Sequence, residues 1–408
     1  MFKKRNLLSV ALLAATFPAV AASDAVQGQG FFADSKVNLN LRTFYFNRDK
    51  VGATDAKALS QALRLDFESG YINNIIGFDA SVFSSLKLSG ERGEGGTGIL
   101  NDNGNAQESY TKIGQAAIKL KLGENTKFKA GRVVIDYPLL NDSDSRATPS
   151  ATQAAILETN IENAKFYAVW SDRASSKTND SFEKYTDSNG DDYDVKTVGA
   201  SYQFHNGVSV DVAYAEAEDV LNQKYVKVSY PWQLSDKTSL NFDGFYYSGE
   251  ADGSAQGHVG ADYDSDLYNV AAQLKHDNTK LTLSYQQVNG DEYEETWGAD
   301  DDNGLNTWNS VQRLDFDRAD EKSWQLRLDY DVKQVKGLSL MTRYTRGDNI
   351  DNGTSSEGKE WERNFEVKYA FQQVDGLSLR LRNSTVRSTE TVDTNENRLI
   401  LNYNIAFK

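Results

Sequence analysis

Two arginines two residues apart, Arg380 and Arg382 in GLSLRLRNST (376–385), stand on the parity opposite to Leu377, Leu379 and Leu381. Successive side chains of an extended chain point to opposite faces, so this segment carries guanidinium on one face and hydrocarbon on the other. Guanidinium grips carboxylate in bidentate geometry and keeps its charge at every working pH. The same parity recurs around Arg42 in VNLNLRTFY, Arg64 in LRLDFE, Lys119 and Lys121 in IKLKL, Arg327 in SWQLRLDYDV, Arg343, and Arg398 in NRLILNYNIAFK. Acids share this polar face: Asp66, Glu68, Asp211, Asp243, Asp329, Glu362 and Glu366. Cations on neighbouring strands would hand an anion along a series of weak sites, as a conducting path requires. Each charge taken singly reads equally well as half of a wall ion pair.

Strands must position these residues. Alternation runs through most of the chain, as in Trp324, Leu326, Leu328, Tyr330 and Val332 against Gln325, Arg327, Asp329 and Asp331. A soluble sandwich also alternates. Here, however, the apolar faces begin or end on aromatic residues: Tyr45, Phe67, Trp170, Phe204, Tyr214, Tyr246, Tyr285, Trp324, Trp361 and Phe407. Tight turns such as FHNGV and QVDGL alternate with long polar connections such as GERGEGGTGILNDNGNAQES. Aromatic girdles, and short turns at one rim with long loops at the other, mark a β-barrel that spans a membrane. KQVKGLSLM (333–341) and QQVDGLSLR (372–380) repeat one turn 39 residues apart, the length of two strands and an outer loop. That interval allows roughly 16 to 20 strands, and even numbers are favoured. A barrel of this size encloses water. The interior-facing set is short of bulky apolar residues, so the lumen is expected to be open, with no plug domain.

The start, MFKKRNLLSVALLAATFPAVAA, has the basic, apolar and small-residue regions of a secretory signal. Residues 1–22 are therefore expected to be cleaved, leaving one barrel domain over 23–408. The chain has net charge −15 and no Cys, which leaves no disulfide frame and no thiol chemistry. Its negative mean hydropathy says little, because barrel strands alternate.

Four blocks, GFFADSKVNLNLRTFYFNRD, NSVQRLDFDRADEKSWQLRLDYD, RYTRGDNID and WERNFEVKYAFQQVDGLSLRLRN, resemble the OprD-type substrate-specific porins of Gram-negative outer membranes. The resemblance implies an all-β fold, an antiparallel up-and-down barrel of 18 strands with long extracellular loops and short periplasmic turns. It implies an arginine and lysine ladder, comprising Arg42, Arg64, Lys119, Lys121, Arg327, Arg343, Arg380, Arg382 and Arg398. NDSDSRATPS resembles the third, inward-folded loop, with Asp144, Ser145, Arg146 and Pro149 in the matching places. SVQRLDF resembles the seventh, with Asp315 as the acid that faces the cations. Implied solutes are small and carboxylate-bearing, such as amino acids and organic or aromatic acids, while one branch of the family takes chitooligosaccharides. Implied partners are outer-membrane lipid and lipopolysaccharide, the barrel assembly machinery and, by extension, two further copies in a homotrimer. No cofactor, metal or nucleic acid is expected. The chain departs from the pattern in ending AFK, with Phe407 penultimate, and in the loop after Arg146.

Other signals weigh less. DSNGDDYD (187–194) and GADDDNG (298–304) resemble calcium loops but lack the Gly and Glu spacing of an EF-hand. Trp297, Trp308 and Tyr293 would suit stacking on sugar rings. A barrel enzyme would need a nucleophile with an oriented base. His205 and His276 lie in predicted short turns, and His258 lies in an outer loop with no Ser and acid beside it.

Overall fold

The structure, a computed structural model, describes residues 30–187, 189–253, 259–298 and 301–407. The expected signal segment and His258 lie outside the described residues. Eighteen long strands form one sheet. They are β1 (Lys36–Lys50), β2 (Ala56–Glu68), β3 (Ile76–Glu91), β4 (Tyr110–Lys121), β5 (Thr126–Val133) and β6 (Ala151–Ile161). Next come β7 (Ala164–Ser175), β8 (Val195–Gln203), β9 (Ser209–Ala217), β10 (Leu221–Ser235), β11 (Thr238–Ala251) and β12 (Asp264–His276). The last six are β13 (Thr279–Gly290), β14 (Lys322–Asp331), β15 (Leu338–Ile350), β16 (Gly358–Ala370), β17 (Leu377–Ser388) and β18 (Thr394–Ala406). Each pairs antiparallel with its neighbours, and β18 pairs with β1 from Asn38↔Ala406 to Lys50↔Thr394. Closure leaves no open edge, so backbone donors and acceptors are satisfied even where water is absent.

The repeated turn shows why its glycine is needed. Gly337 and Gly376 have φ of 89° and 78°. A Cβ on Gly376 would stand 2.0 Å from the Asn404 carbonyl oxygen, and one on Gly337 would stand 2.2 Å from that of Ala370. A left-handed residue pressed against the next strand admits no side chain.

Register gives the strand tilt. Tyr45, near the long-loop rim, pairs with Leu399, and the row continues through Leu381, Val367 and Leu340 to Tyr330 beside a short turn. One row of paired residues thus descends from the outer aromatic girdle to the inner girdle between β1 and β14. That descent is the inclination expected of a membrane barrel.

Long connections fold into the barrel rather than standing out from it. Ile135, Leu139, Leu140, Tyr185, Tyr293, Trp297 and Leu305 come from the connections 134–150, 176–194 and 291–321. They pack on inward-facing Ile156, Val169, Val195, Ala215, Leu221, Tyr247, Leu267 and Val288. Ile99 and Leu100 of connection 92–109 pack with Phe44, Phe46, Ala58 and Ala62. The expectation of an open lumen poor in bulky apolar groups is therefore corrected. Small and aliphatic inward residues are the floor on which the loops build an apolar core.

Candidate functional site

Parity and tilt gather the cations of β14 to β18 and β1 along one stretch of wall. Across it, Arg382 pairs with Arg398, Arg398 with Phe46, and Arg327 with Arg343. Like charges directly opposite one another are destabilising, so carboxylates are threaded between them. Glu366 Oε2 lies 2.7 Å from Arg380 Nη2 and 3.2 Å from Arg382 Nε. Glu396 holds Arg398 at 2.5 Å, Arg48 at 3.2 Å and, more loosely, Arg313 at 3.8 Å. The guanidiniums of Arg48, Arg146 and Arg398 all lie over the Phe46 ring, at 5.1, 5.6 and 4.9 Å. Guanidinium outnumbers carboxylate at both places.

Elsewhere the pairing is one to one. Arg42 grips both oxygens of Asp144 at 2.7 and 3.0 Å and donates to the Arg146 carbonyl. Arg64 and Asp66, and Arg327 and Asp329, are neighbours on a single strand. Lys119 shares Asp79 with Lys129, 2.7 Å from each. Lys121 donates to Asn74 and sits over the Tyr71 ring. Arg343 has no carboxylate partner among the described residues and donates to Asn364 Oδ1 at 2.6 Å.

The connection 134–150 brings Arg146 to this wall. Asp142 staples its base, accepting from Ile135 N at 2.8 Å and Ser150 Oγ at 2.9 Å. Burial pushes its carboxyl up to about 7. Connection 291–321 closes over the loop from the other side. Trp297 Nε1 donates to the Leu139 carbonyl at 2.7 Å, and Asn303 Oδ1 accepts from Asn141 N at 2.7 Å. Burial, then the nearby Arg398, Arg48 and Arg313, pulls the Arg146 guanidinium well below its usual range, with Glu396 opposing. An anion reaching this neck would relieve that crowding.

Connection 291–321 packs on this wall and brings acids to it. A cavity of about 610 Å³ is lined by Asp262, Asp291, Glu292, Asp315 and Asp317 among others, with Arg313 and Arg318 on its border. Burial pushes the Asp315 carboxyl up to about 6, and Glu362 adds to the rise while Ser310, Arg313 and Arg343 oppose it. Burial and the neighbouring Asp315 also hold Glu295 and Asp317 well above the ordinary carboxylate range. These acids thus lie beside Arg343 of β15 and against β16, on which the connection packs through Arg313 N and Leu314 N to Glu362.

Of the residues singled out from the sequence, Arg380, Arg382, Arg398, Arg343, Arg146 and Asp315 come together at or beside this neck. Arg327 borders them as the paired neighbour of Arg343. Arg64, Lys119 and Lys121 lie elsewhere on the wall, and Asp144 and Ser145 lie exposed beside Arg42. Sequence reading missed Arg48 and Arg313. Arg48 shares the parity of Arg42, Phe44 and Phe46, so the alternation itself carried the signal. Arg313 lies in a loop, where no periodicity could assign it. Trp297 and Tyr293 are 1% and 3% exposed, and Trp308 gives its indole N–H to Asp243 at 2.9 Å, so the loop aromatics are framework. His205 and His276 do lie at short turns. Among the described residues no group of three or more His, Asp or Glu is placed to hold a metal ion.

The comparisons with known proteins agree with the eighteen-strand barrel. Residues 29–407 match the model of the outer membrane porin, OprD family. The chain is 29% identical to Porin D of Pseudomonas aeruginosa over 93% of each chain. It is 30% identical to the porin-like protein GalP of Pseudomonas putida over 94% of this chain and 96% of the relative. The crystal structure of Pseudomonas aeruginosa OpdK with vanillate superposes with a TM-score of 0.84 at 27% identity, covering 93% of this chain and all of that one. A closed barrel of eighteen strands, loops that meet at a charged neck and a family match over nearly the whole chain lead to one statement: this protein belongs to the OprD family of outer membrane porins.

Proposed function

We propose that this porin passes small carboxylate-bearing nutrients, aromatic acids and amino acids among them, by diffusion along its arginine wall. One observation carries the reading: the neck holds more guanidinium than carboxylate, with Arg48, Arg313 and Arg398 around Glu396, Arg146 over the same ring, and Arg380 with Arg382 on Glu366. A carboxylate arriving there finds fork-shaped donors whose present acceptors are shared. It exchanges from one guanidinium pair to the next, and because every pair is already partly satisfied, no single site holds it for long. The relative OpdK, crystallised with vanillate, an aromatic carboxylate, supports this solute class. The acids of the neighbouring cavity would attract the ammonium of an amino acid toward Asp315 while its carboxylate turned toward Arg398. A sugar-oligomer channel fits less well, because Trp297 and Tyr293 are spent on packing and offer no stacking face.

The test is single-channel recording of the purified protein in a planar bilayer across a KCl gradient. Discrete conductance with anion preference, reduced in Arg380→Ala/Arg382→Ala, is the expected result. No conductance would remove the channel reading. Cation preference that those substitutions leave unchanged would remove the ladder and leave the arginines as wall pairs.

A further inference from the structure

Trp361 lies on the outer surface of β16, on the parity opposite to Glu360 and Glu362, which point into the barrel and are 2% and 0% exposed. Its paired neighbours are Arg346 on β15 and Arg387 on β17, and its neighbours two residues along the strand are Lys359 and Arg363. Four cations thus bracket one surface indole. Tyr45, another residue of the outer girdle, has Leu399 and Leu59 beside it and Thr43 and Asn47 along its strand.

Two of the four cations are engaged. Arg346 binds both oxygens of Asp348, at 2.9 and 3.0 Å, while Arg387 reaches Asp393 at 3.5 Å. Arg363 and Lys359 are exposed and make no ion pair among the described residues. Arg363 lies over the Phe365 ring at 5.3 Å and touches only Thr385 Oγ1, at 3.4 Å. Depth follows from the tilt. Rows climb from β14 toward β1, so the row of Trp324 rises through Arg346 and Trp361 to Arg387. Trp324 marks the outer girdle, which places the four cations at its level and just above, where lipid head groups lie.

We propose that this patch binds the phosphate groups of the phosphorylated glycolipid of the outer leaflet, lipopolysaccharide. Arg363, Lys359 and Arg387 would hold phosphate oxygens, and exposed Phe365, Val367 and Leu381 just below would meet acyl chains. Guanidinium matches phosphate in bidentate geometry, and basic clusters at a membrane surface recognise phosphorylated head groups. The site is one-sided. On the outer face of β9 to β12 the same level carries Glu216, Glu250 and Asp266, with Lys224 paired to Glu250.

The proposal is tested on detergent-purified full-length protein by native mass spectrometry with added lipopolysaccharide and, separately, with inorganic phosphate. Folding is monitored by heat-modifiable gel mobility. Wild type is expected to retain lipopolysaccharide in a salt-sensitive manner. Lys359→Gln/Arg363→Gln/Arg387→Gln should weaken retention about a hundredfold, at roughly fivefold per cation lost. Its conductance should stay unchanged, because these side chains point away from the lumen. Arg363→Lys, with Lys359 and Arg387 intact, should retain most of the binding, because the positive charge is kept. Equal retention by the folded triple variant would overturn the site. Binding of inorganic phosphate without lipopolysaccharide would overturn the lipid as its ligand.

Discussion

Two stretches of one barrel wall do opposite things with the same alternation. From β5 round to β13 the inward positions are mostly small or aliphatic, among them Val133, Ala154, Val169, Val195, Ala213, Ala215, Leu267 and Val288, and folded loops cover them. From β14 to β18 and the start of β1 they include Arg327, Arg343, Glu366, Arg380, Arg382, Arg398 and Arg42. The loop that reaches them does so through polar groups, with Gln312 donating to Glu396 and Arg313 N and Leu314 N to Glu362. An apolar floor invites loops to bury their aromatics against it. A charged floor is covered only where its groups are paired and hydrogen-bonded, as Glu362, Glu396 and Arg398 are. The difference between the walls therefore sets what the loops must bring to each, hydrocarbon to one and hydrogen-bonding or charged groups to the other, with no difference in backbone architecture.

The largest expected effect comes from spoiling the packed wall. Trp297 is fully buried between connection 134–150 and the barrel, and its indole N–H donates to the Leu139 carbonyl. Trp297→Ala should cost the loop assembly about 3–5 kcal/mol, the usual range for a buried aromatic cut to alanine. The barrel ladder is untouched, so the protein should still insert. Single-channel conductance should rise and anion preference should fall as the loops loosen. Unchanged conductance would mean that the loops do not define the neck.

Next in size is the charged wall. Arg398→Gln removes the guanidinium closest to Glu396 and leaves that buried acid with Arg48 and the more distant Arg313. Breaking a buried pair leaves an uncompensated charge. The ratio of anion to cation permeability should fall about tenfold, equivalent to about 1.4 kcal/mol. A ratio within twofold of wild type would show that the arginine excess at Glu396 does not set the field.

Much of this contrast was legible in the sequence, and the part that was not has a physical cause. Alternation has a period of two, so Arg380, Arg382 and Arg398 declare their face from their neighbours alone. The repeated turn with Gly337 and Gly376 gave the strand spacing. What the alternation cannot show is how loops use the faces. Tyr185, Trp297 and Leu305 lie in polar, Gly- and Asp-rich segments whose average composition reads as solvated. Their burial depends on contacts between connections more than a hundred residues apart, such as Tyr193 with the Trp297 carbonyl. Arg313 reaches the neck by the same route, so it became visible only once the loops were seen to meet.

A smaller effect, and one that sharpens the comparison, comes from pH. Asp315, on the connection packed against the arginine wall, has its carboxyl pushed up to about 6, mainly by burial. The folded state therefore binds a proton that the unfolded state has already lost. The stability this gives the loop is fully present at low pH and declines as pH rises from about 4 to about 6. As pH falls from 8 to 5 the acid side of the neck loses charge while the arginine side keeps it. Anion preference should rise a few-fold, and Asp315→Asn should show the raised preference already at pH 8. A profile that is flat and identical in both proteins would detach Asp315 from the permeation path.

The smallest effect separates cations that serve the wall from cations that serve the path. Arg64 binds Asp66, two residues away on β2, in a pair that is partly open to the lumen, and among the described residues no second guanidinium shares that acid. Partly exposed pairs contribute roughly 0–1 kcal/mol. Arg64→Gln should leave thermal stability nearly unchanged and shift the permeability ratio by less than about twofold, because losing one partner of a matched pair changes the local field little at lumenal ionic strength. If Arg64→Gln instead reduced anion preference as much as Arg398→Gln, the excess of guanidinium at Glu396 and Glu366 would not be the relevant quantity. Every inward cation would then count alike, and the distinction drawn between matched and surplus charge would fail.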